Sequence, residues 1–259
     1  MRRLFVLLAM VMALPAIAAL RQPITLARYE ARTIVTGTDM RSRPAGLAVC
    51  LTDVLVKVSG DPTLADDPRV AGLAAQAGDF VAGIDYWDRM SGLPHHDEQG
   101  SSDRPFNLTA RFVPEKIDAA LRALGRAPWP DPRPRIVPLI HVQTPSGAFD
   151  IAGTEPRAEG MRAAWAESGQ RYGMEVAIPP TPLPPPPEPG QLVLSGSLDL
   201  SEAAHGWVGA WHVAWQGRDY RWGLAGVNFD EAFRQAVRGA MQIASGHGAP
   251  RDLSAANAP

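Results

Sequence analysis

A proline-rich segment near the middle of the chain restricts its fold more than any other feature. It reads Arg126-Ala127-Pro128-Trp129-Pro130-Asp131-Pro132-Arg133-Pro134. Each proline lacks an amide donor and fixes its own φ, so four at alternate positions exclude a regular helix or a central strand. The chain is therefore expected to form two blocks with a join at residues 126–134.

In the first block, Tyr29, Ala31, Thr33 and Val35 alternate with Arg28, Glu30 and Arg32, which predicts a strand over residues 24–35. Leu47, Cys50 or Leu51, Val54 and Val58 then recur at helical spacing over residues 45–58. Ser59-Gly60-Asp61-Pro62 ends that helix, because glycine accepts a left-handed backbone and proline cannot continue the turn. Asp67 is placed to cap a second helix, with Pro68 in its first position and Val70, Leu73, Ala74, Ala77 and Val81 on one face. Strands are expected at residues 84–87 and 106–112, joined by a polar exposed loop over 91–105, before a third helix from Pro114 to Gly125.

The second block opens with a strand over residues 135–142 and a helix over 156–172, which carries Met161, Ala164 or Trp165, and Ser168 along one side. A short strand at 175–178 and an extended proline-rich loop at 179–189 follow. Residues 191–200, 207–215 and 220–227 read as an antiparallel meander, and Asn228 with Glu231 marks the start of a last helix. The expected fold class is α/β of the α+β type: two small units, 19–125 and 135–246, each a mostly antiparallel or mixed sheet packed against helices. Residues 247–259 are expected to be a flexible tail.

Residues 1–18 have the three parts of a secretory signal peptide: Arg2 and Arg3, an apolar run over 4–14, and the small-x-small site Ala16-Ile17-Ala18. Pro15 and the following Arg21 argue against a retained anchor. The expected location is the periplasm, with no transmembrane segment after cleavage. Removing residues 1–18 would leave 23 basic and 27 acidic residues, a net charge of −4, which argues against a general nucleic-acid or anionic-membrane binder. Cys50 is the only cysteine, so no internal disulfide can staple the fold. Its place on an apolar helix face predicts a buried residue rather than a reactive thiol.

Several blocks are distinctive in order and spacing. They are Leu51-Thr52-Asp53-Val54-Leu55-Val56-Lys57-Val58-Ser59-Gly60-Asp61; Phe112 followed by Ile117-Asp118 and Leu121-Arg122-Ala123-Leu124-Gly125; Trp129 with Arg133-Pro134; and Trp211 with Trp215. On these the chain resembles the bacterial exported family catalogued as domain of unknown function 2066. The resemblance implies export, and it carries no activity, substrate or catalytic residue.

No nucleophile elbow, phosphate-binding loop, His-Glu-x-x-His or paired-cysteine motif occurs. His95-His96-Asp97-Glu98 is the one compact set of potential metal ligands, but consecutive loop residues rarely converge on one ion, so no metal and no other cofactor is expected. Ser59-Gly60-Asp61 reads as a helix stop more than as a nucleophile beside an acid, and His212 as a strand residue bonded to a partner. Trp207, Trp211 and Trp215 stand four apart, hence on one strand face, with Trp222 and Tyr220 on the next strand. That face is expected to pack under the last helix; the alternative is a solvent-facing platform that stacks on glycan rings or a peptide, which makes Trp207, Trp211, Trp215 and Trp222 the candidate binding residues. The functional expectation is a non-enzymatic binding or scaffold protein of the cell envelope, with another envelope protein or a cell-wall component as partner. The alternative is an envelope hydrolase with a dispersed site. An exposed apolar groove would favour binding, and a pocket of convergent polar groups with shifted pKa values would favour the enzyme.

Overall fold

The computed structural model describes residues 28–91, 104–183 and 188–254. Residues 1–18, where a signal peptide is expected, the His95-His96-Asp97-Glu98 cluster, and parts of the proline-rich loop and of the C-terminal tail lie outside them. Strands β1 (Glu30–Thr36), β2 (Val81–Asp88) and β3 (Pro105–Phe112) form an antiparallel sheet in the order β1-β3-β2. Alternation decides its two faces. Ala31, Val35, Leu108 and Ala110 are buried against helix α1 (Arg43–Ser59), while Arg32 and Ile34 turn outward with Asn107 and Trp87 in the neighbouring strands. Helices α2 (Pro68–Ala74) and α3 (Pro114–Ala123) also pack on α1.

The second sheet comprises β4 (Arg135–Thr144), β5 (Gly147–Asp150), β6 (Gln191–Ser201), β7 (Gly206–Trp215) and β8 (Arg218–Val227), in the order β5-β4-β6-β7-β8. Helix α4 (Glu159–Tyr172) joins β4 to the parallel β6, and β6, β7 and β8 form the expected antiparallel meander. Helix α5 (Phe229–Ala244) closes the inner face beside α4. Its N-cap is Asn228, whose Oδ1 accepts the Glu231 N–H at 2.8 Å. The architecture is α+β, with helices packed on one three-stranded antiparallel sheet and one five-stranded mixed sheet.

Helix α1 sits between the two halves. The amphipathic face read from sequence holds Leu47, Cys50, Leu51, Val54 and Val58, yet Leu55, Val56 and Lys57 are buried as well. The reason is that β1 covers one side of the helix and α4 another. Each fully buried Leu or Val contributes about 1.5–3 kcal/mol, so the middle of this helix anchors a core shared by both sheets. Residues 126–134 are irregular, as their prolines require, and are held against α1: the Trp129 N–H donates to the Val58 carbonyl at 2.8 Å. The Arg133 guanidinium lies 4.6 Å from the Trp129 ring centroid and donates to the carbonyls of Val58 and Gly173, both at 3.3 Å.

Three expectations are corrected, and one strand is added. The second helix ends at Ala74, and Ala77 reaches the core from a separate 3-10 turn, Ala77–Phe80, because apolar spacing alone does not distinguish a continuous helix from two turns. The strand at 175–178 is reduced to one bridge, Val176 beside Ile136, since β5 occupies the rest of that edge of β4. Strand β5 itself was not foreseen. The chain after Gly246 does not fray through residue 254: Leu253 donates to the Gly223 carbonyl at 2.8 Å and bridges Leu224 at the edge of β8.

Candidate functional site

On β7, residues 207, 209, 211, 213 and 215 share the inner face. Trp211 stands directly opposite Trp222 of β8, and the two are 2% and 4% exposed. From α4, Trp165 meets the Trp211 ring edge-on at 6.4 Å and stacks on Phe233 of α5 at 4.8 Å. Trp207 packs edge-on against Phe229 at 6.5 Å. A Cβ on Gly196, opposite Trp211 on β6, would meet the indole at 2.7 Å, so the ring lies directly on the strand backbone. Trp207 and Trp215 are half-buried at the ends of this slab. The tryptophan face is thus inner packing beneath α4 and α5, and Trp211 and Trp222 are not available as a solvent-facing platform.

Two serine–histidine–aspartate groupings were not visible in the sequence. On the outer face of the second sheet, Ser195 Oγ lies 3.3 Å from His212 Nδ1, and His212 Nε2 lies 2.9 Å from Asp219 Oδ1. Strand β6 is hydrogen-bonded on both sides, so the amides around Ser195 are committed to the ladders and cannot line an oxyanion hole. At the end of α5, Ser245 Oγ lies 2.8 Å from His247 Nδ1 and donates to the Gly60 carbonyl at 2.8 Å, while His247 Nε2 is 4.0 Å from Asp61. Asp61 is buried and engaged by Thr63 and by Arg126 Nε at 2.6 Å, so this grouping clamps α5 to the turn after α1. Ser59 Oγ donates to the Leu55 carbonyl at 2.7 Å rather than meeting the Asp61 carboxylate. Among the described residues no group of three or more His, Cys, Asp or Glu side chains is arranged to hold a metal ion. No helix among them is long and apolar enough to cross a membrane.

A concave site of about 660 Å³ lies between β1 and α4. Its floor comes from α1, where Asp53 and Lys57 stand one turn apart on the same face. Lys57 Nζ donates to the Glu30 carbonyl at 2.5 Å. Arg171 of α4 lies 2.9 Å from each Asp53 oxygen and hydrogen-bonds to Oδ1. Burial lowers the Lys57 ammonium to a pKa of about 8, against the pull of Asp53, and burial pushes the Asp53 carboxyl above the usual carboxylate range, against the pull of Arg171. Both shifts favour the neutral forms, and both groups are held by neighbouring charges.

The wall formed by β1 has a different character. The Tyr29 carbonyl accepts from the Phe112 N–H at 2.9 Å, and the Gly37 N–H donates to the Arg104 carbonyl at 2.9 Å, so the odd-numbered residues of β1 exchange hydrogen bonds with β3. Arg32 and Ile34 consequently direct their backbone N–H and C=O groups away from β3, to an edge that pairs with no strand among the described residues. At the mouth, Ile34 is 55% and Trp87 60% exposed. Arg32 bonds Thr109 Oγ1 at 3.2 Å, and neither Arg32 nor Arg89 forms an ion pair among the described residues. The facing wall holds the small, exposed Ala163 and Ala166 of α4, with Glu167 also free of an ion pair among the described residues.

Sequence reasoning missed this cleft. The one available signal was Lys57, a lysine set among the apolar positions of a core helix.

Residues 26–130 match the family model described as Domain of unknown function (DUF8605). This overturns the resemblance to domain of unknown function 2066, since the blocks from Leu51 to Asp61 and from Phe112 to Gly125 fall within the match to a different family. Much of what those blocks share is what any apolar helix closed by a left-handed glycine requires. No curated protein and no solved structure matches the chain.

Proposed function

We propose that this chain is an exported protein of the cell envelope whose task is binding, and that the cleft between β1 and α4 holds an envelope component, another protein or the cell wall. The observation that carries this reading is the contrast between mouth and floor. Ile34 and Trp87 are large apolar side chains left exposed at a concave site, which marks a surface that a partner covers. The floor, by contrast, is internally compensated: Lys57 is 1% exposed with its ammonium on the Glu30 carbonyl, and Asp53 is held by Arg171. A lysine with a pKa near 8 in a cleft is the feature that an enzymatic reading would use. Its burial and its engaged donor weigh against proton exchange with a substrate. Export is supported by the charged, apolar and small-x-small pattern of residues 1–18.

The test is a photo-crosslinking residue placed in intact cells at Ala166, inside the cleft, and separately at Ala214, on the exposed outer face of the second sheet. Discrete adducts with envelope material are expected from position 166 and not from 214. No adduct at 166, or the same adducts from both positions, contradicts the reading. The purified mature protein is expected to begin at Ala19, and an intact Met1 by mass spectrometry contradicts export.

A further inference from the structure

Resting on the cleft as the binding site, we propose that its occupant is an extended polypeptide that adds as a strand to the free edge of β1, with basic side chains facing α4. The backbone of β1 supplies the first argument. Arg32 and Ile34 each present one outward donor and one outward acceptor, and these pairs repeat every second residue, about 6.8 Å apart. Another extended polypeptide repeats its own amides at that spacing, and a glycan does not. The neighbouring outward carbonyl, that of Glu30, is already taken by Lys57 Nζ. The available edge therefore begins at Arg32.

The walls supply the second argument. In an added strand, side chains opposite Arg32 and Ile34 would share the outer face with Trp87, where apolar groups find exposed apolar partners. The intervening side chains turn the other way, toward α4. There Ala163 and Ala166 leave room, and Glu167 of α4 and Asp230 of α5 line the cleft without an ion pair among the described residues, whereas Lys57, Arg171 and Arg234 on that side are engaged by Glu30, Asp53 and Glu231, so basic side chains complement the two carboxylates. Uncovered strand edges invite unwanted pairing and are normally blunted. Here α4 stands beside the edge as the facing wall of the cleft. Strand addition is a general mode of peptide recognition in which main-chain bonds give affinity and alternate side chains give specificity.

A short fluorescent peptide of alternating valine and lysine tests this by titration against the mature protein. Binding is expected, with a loss of about tenfold or more in Ile34→Pro. The Ile34 N–H is outside the β3 ladder, so proline there removes no sheet hydrogen bond. Because that variant could still fold poorly, the probe is also N-methylated on each alternate set of amides in turn. One set should abolish binding and the other should spare it, and Glu167→Ala should weaken binding with an unchanged melting temperature. No binding to wild type, equal effects of the two methylated probes, or full binding by folded Ile34→Pro overturns strand addition. If Ala166→Trp blocks the probe while Ile34→Pro does not, the cleft stands and strand addition falls; failure of crosslinking at position 166 removes the cleft itself.

Discussion

Trp211 carries more packing than any other single side chain on the inner face of β7. It lies against Gly196, opposite Trp222 and beneath Trp165, and its indole N–H has no acceptor among the described residues. Its contribution is therefore apolar burial, and Trp211→Ala is expected to destabilise by about 3–5 kcal/mol in thermal unfolding, while Trp211→Phe, which keeps a ring, loses less. An unchanged transition in the alanine variant would contradict the packing. Lys57 gives a second expectation through its charge. Its folded pKa, about 8, lies below the ordinary 10.5, so the unfolded chain binds more protons between these values. Charging the buried ammonium costs stability that is fully lost below pH 8 and recovered as pH rises toward 10.5. Cys50, pushed by burial to about 12, acts in the opposite sense above pH 9. The difference in urea stability between wild type and Lys57→Met isolates the lysine, and it should move in favour of wild type from pH 8 to 10.5. A flat difference would mean that Lys57 is not buried as a cation.

At the scale of elements, the turn after α1 shows how a glycine ties two parts of the chain together. Gly60 has φ +73°, and a Cβ there would meet Ser245 Cβ at 2.6 Å. Gly125 after α3 has φ +75° with nothing within 4 Å. Gly125→Ala should therefore cost only the backbone strain, about 1–2 kcal/mol, and Gly60→Ala about 2–4 kcal/mol because the α5 contact is disturbed as well. Equal losses in thermal unfolding would contradict the close approach. Most elements were legible because their apolar periods are strong: the three strands of the meander, α1 with its glycine stop, and α5 with its Asn228 cap. Strand β5 was not, because Gly147-Ala148-Phe149-Asp150 offers a single large apolar residue. The docked tail was not, because Leu253 stands alone among polar neighbours. The candidate tryptophans could be assigned to one face by spacing, but whether helices cover that face depends on tertiary packing.

At the scale of the whole molecule, the cleft exists because α4, which follows the proline-rich join, lies beside β1, which precedes it. No local pattern encodes that approach. Arg133 helps to hold it, since one guanidinium bonds carbonyls at the C-terminal ends of both α1 and α4, and burial lowers its pKa to about 10. The open edge of β1 also follows from strand order, because β3 lies in the middle of its sheet and leaves β1 with one partner among the described residues. Residue-resolved amide hydrogen exchange along β1 tests this account most directly. In the free protein, Ala31, Thr33 and Val35 should exchange slowly through their bonds to β3, while Arg32 and Ile34 exchange fast; saturating valine–lysine peptide should then slow Arg32 and Ile34 selectively. Uniform protection along β1 in the free protein, or fast exchange at Arg32 and Ile34 in the complex, would contradict it.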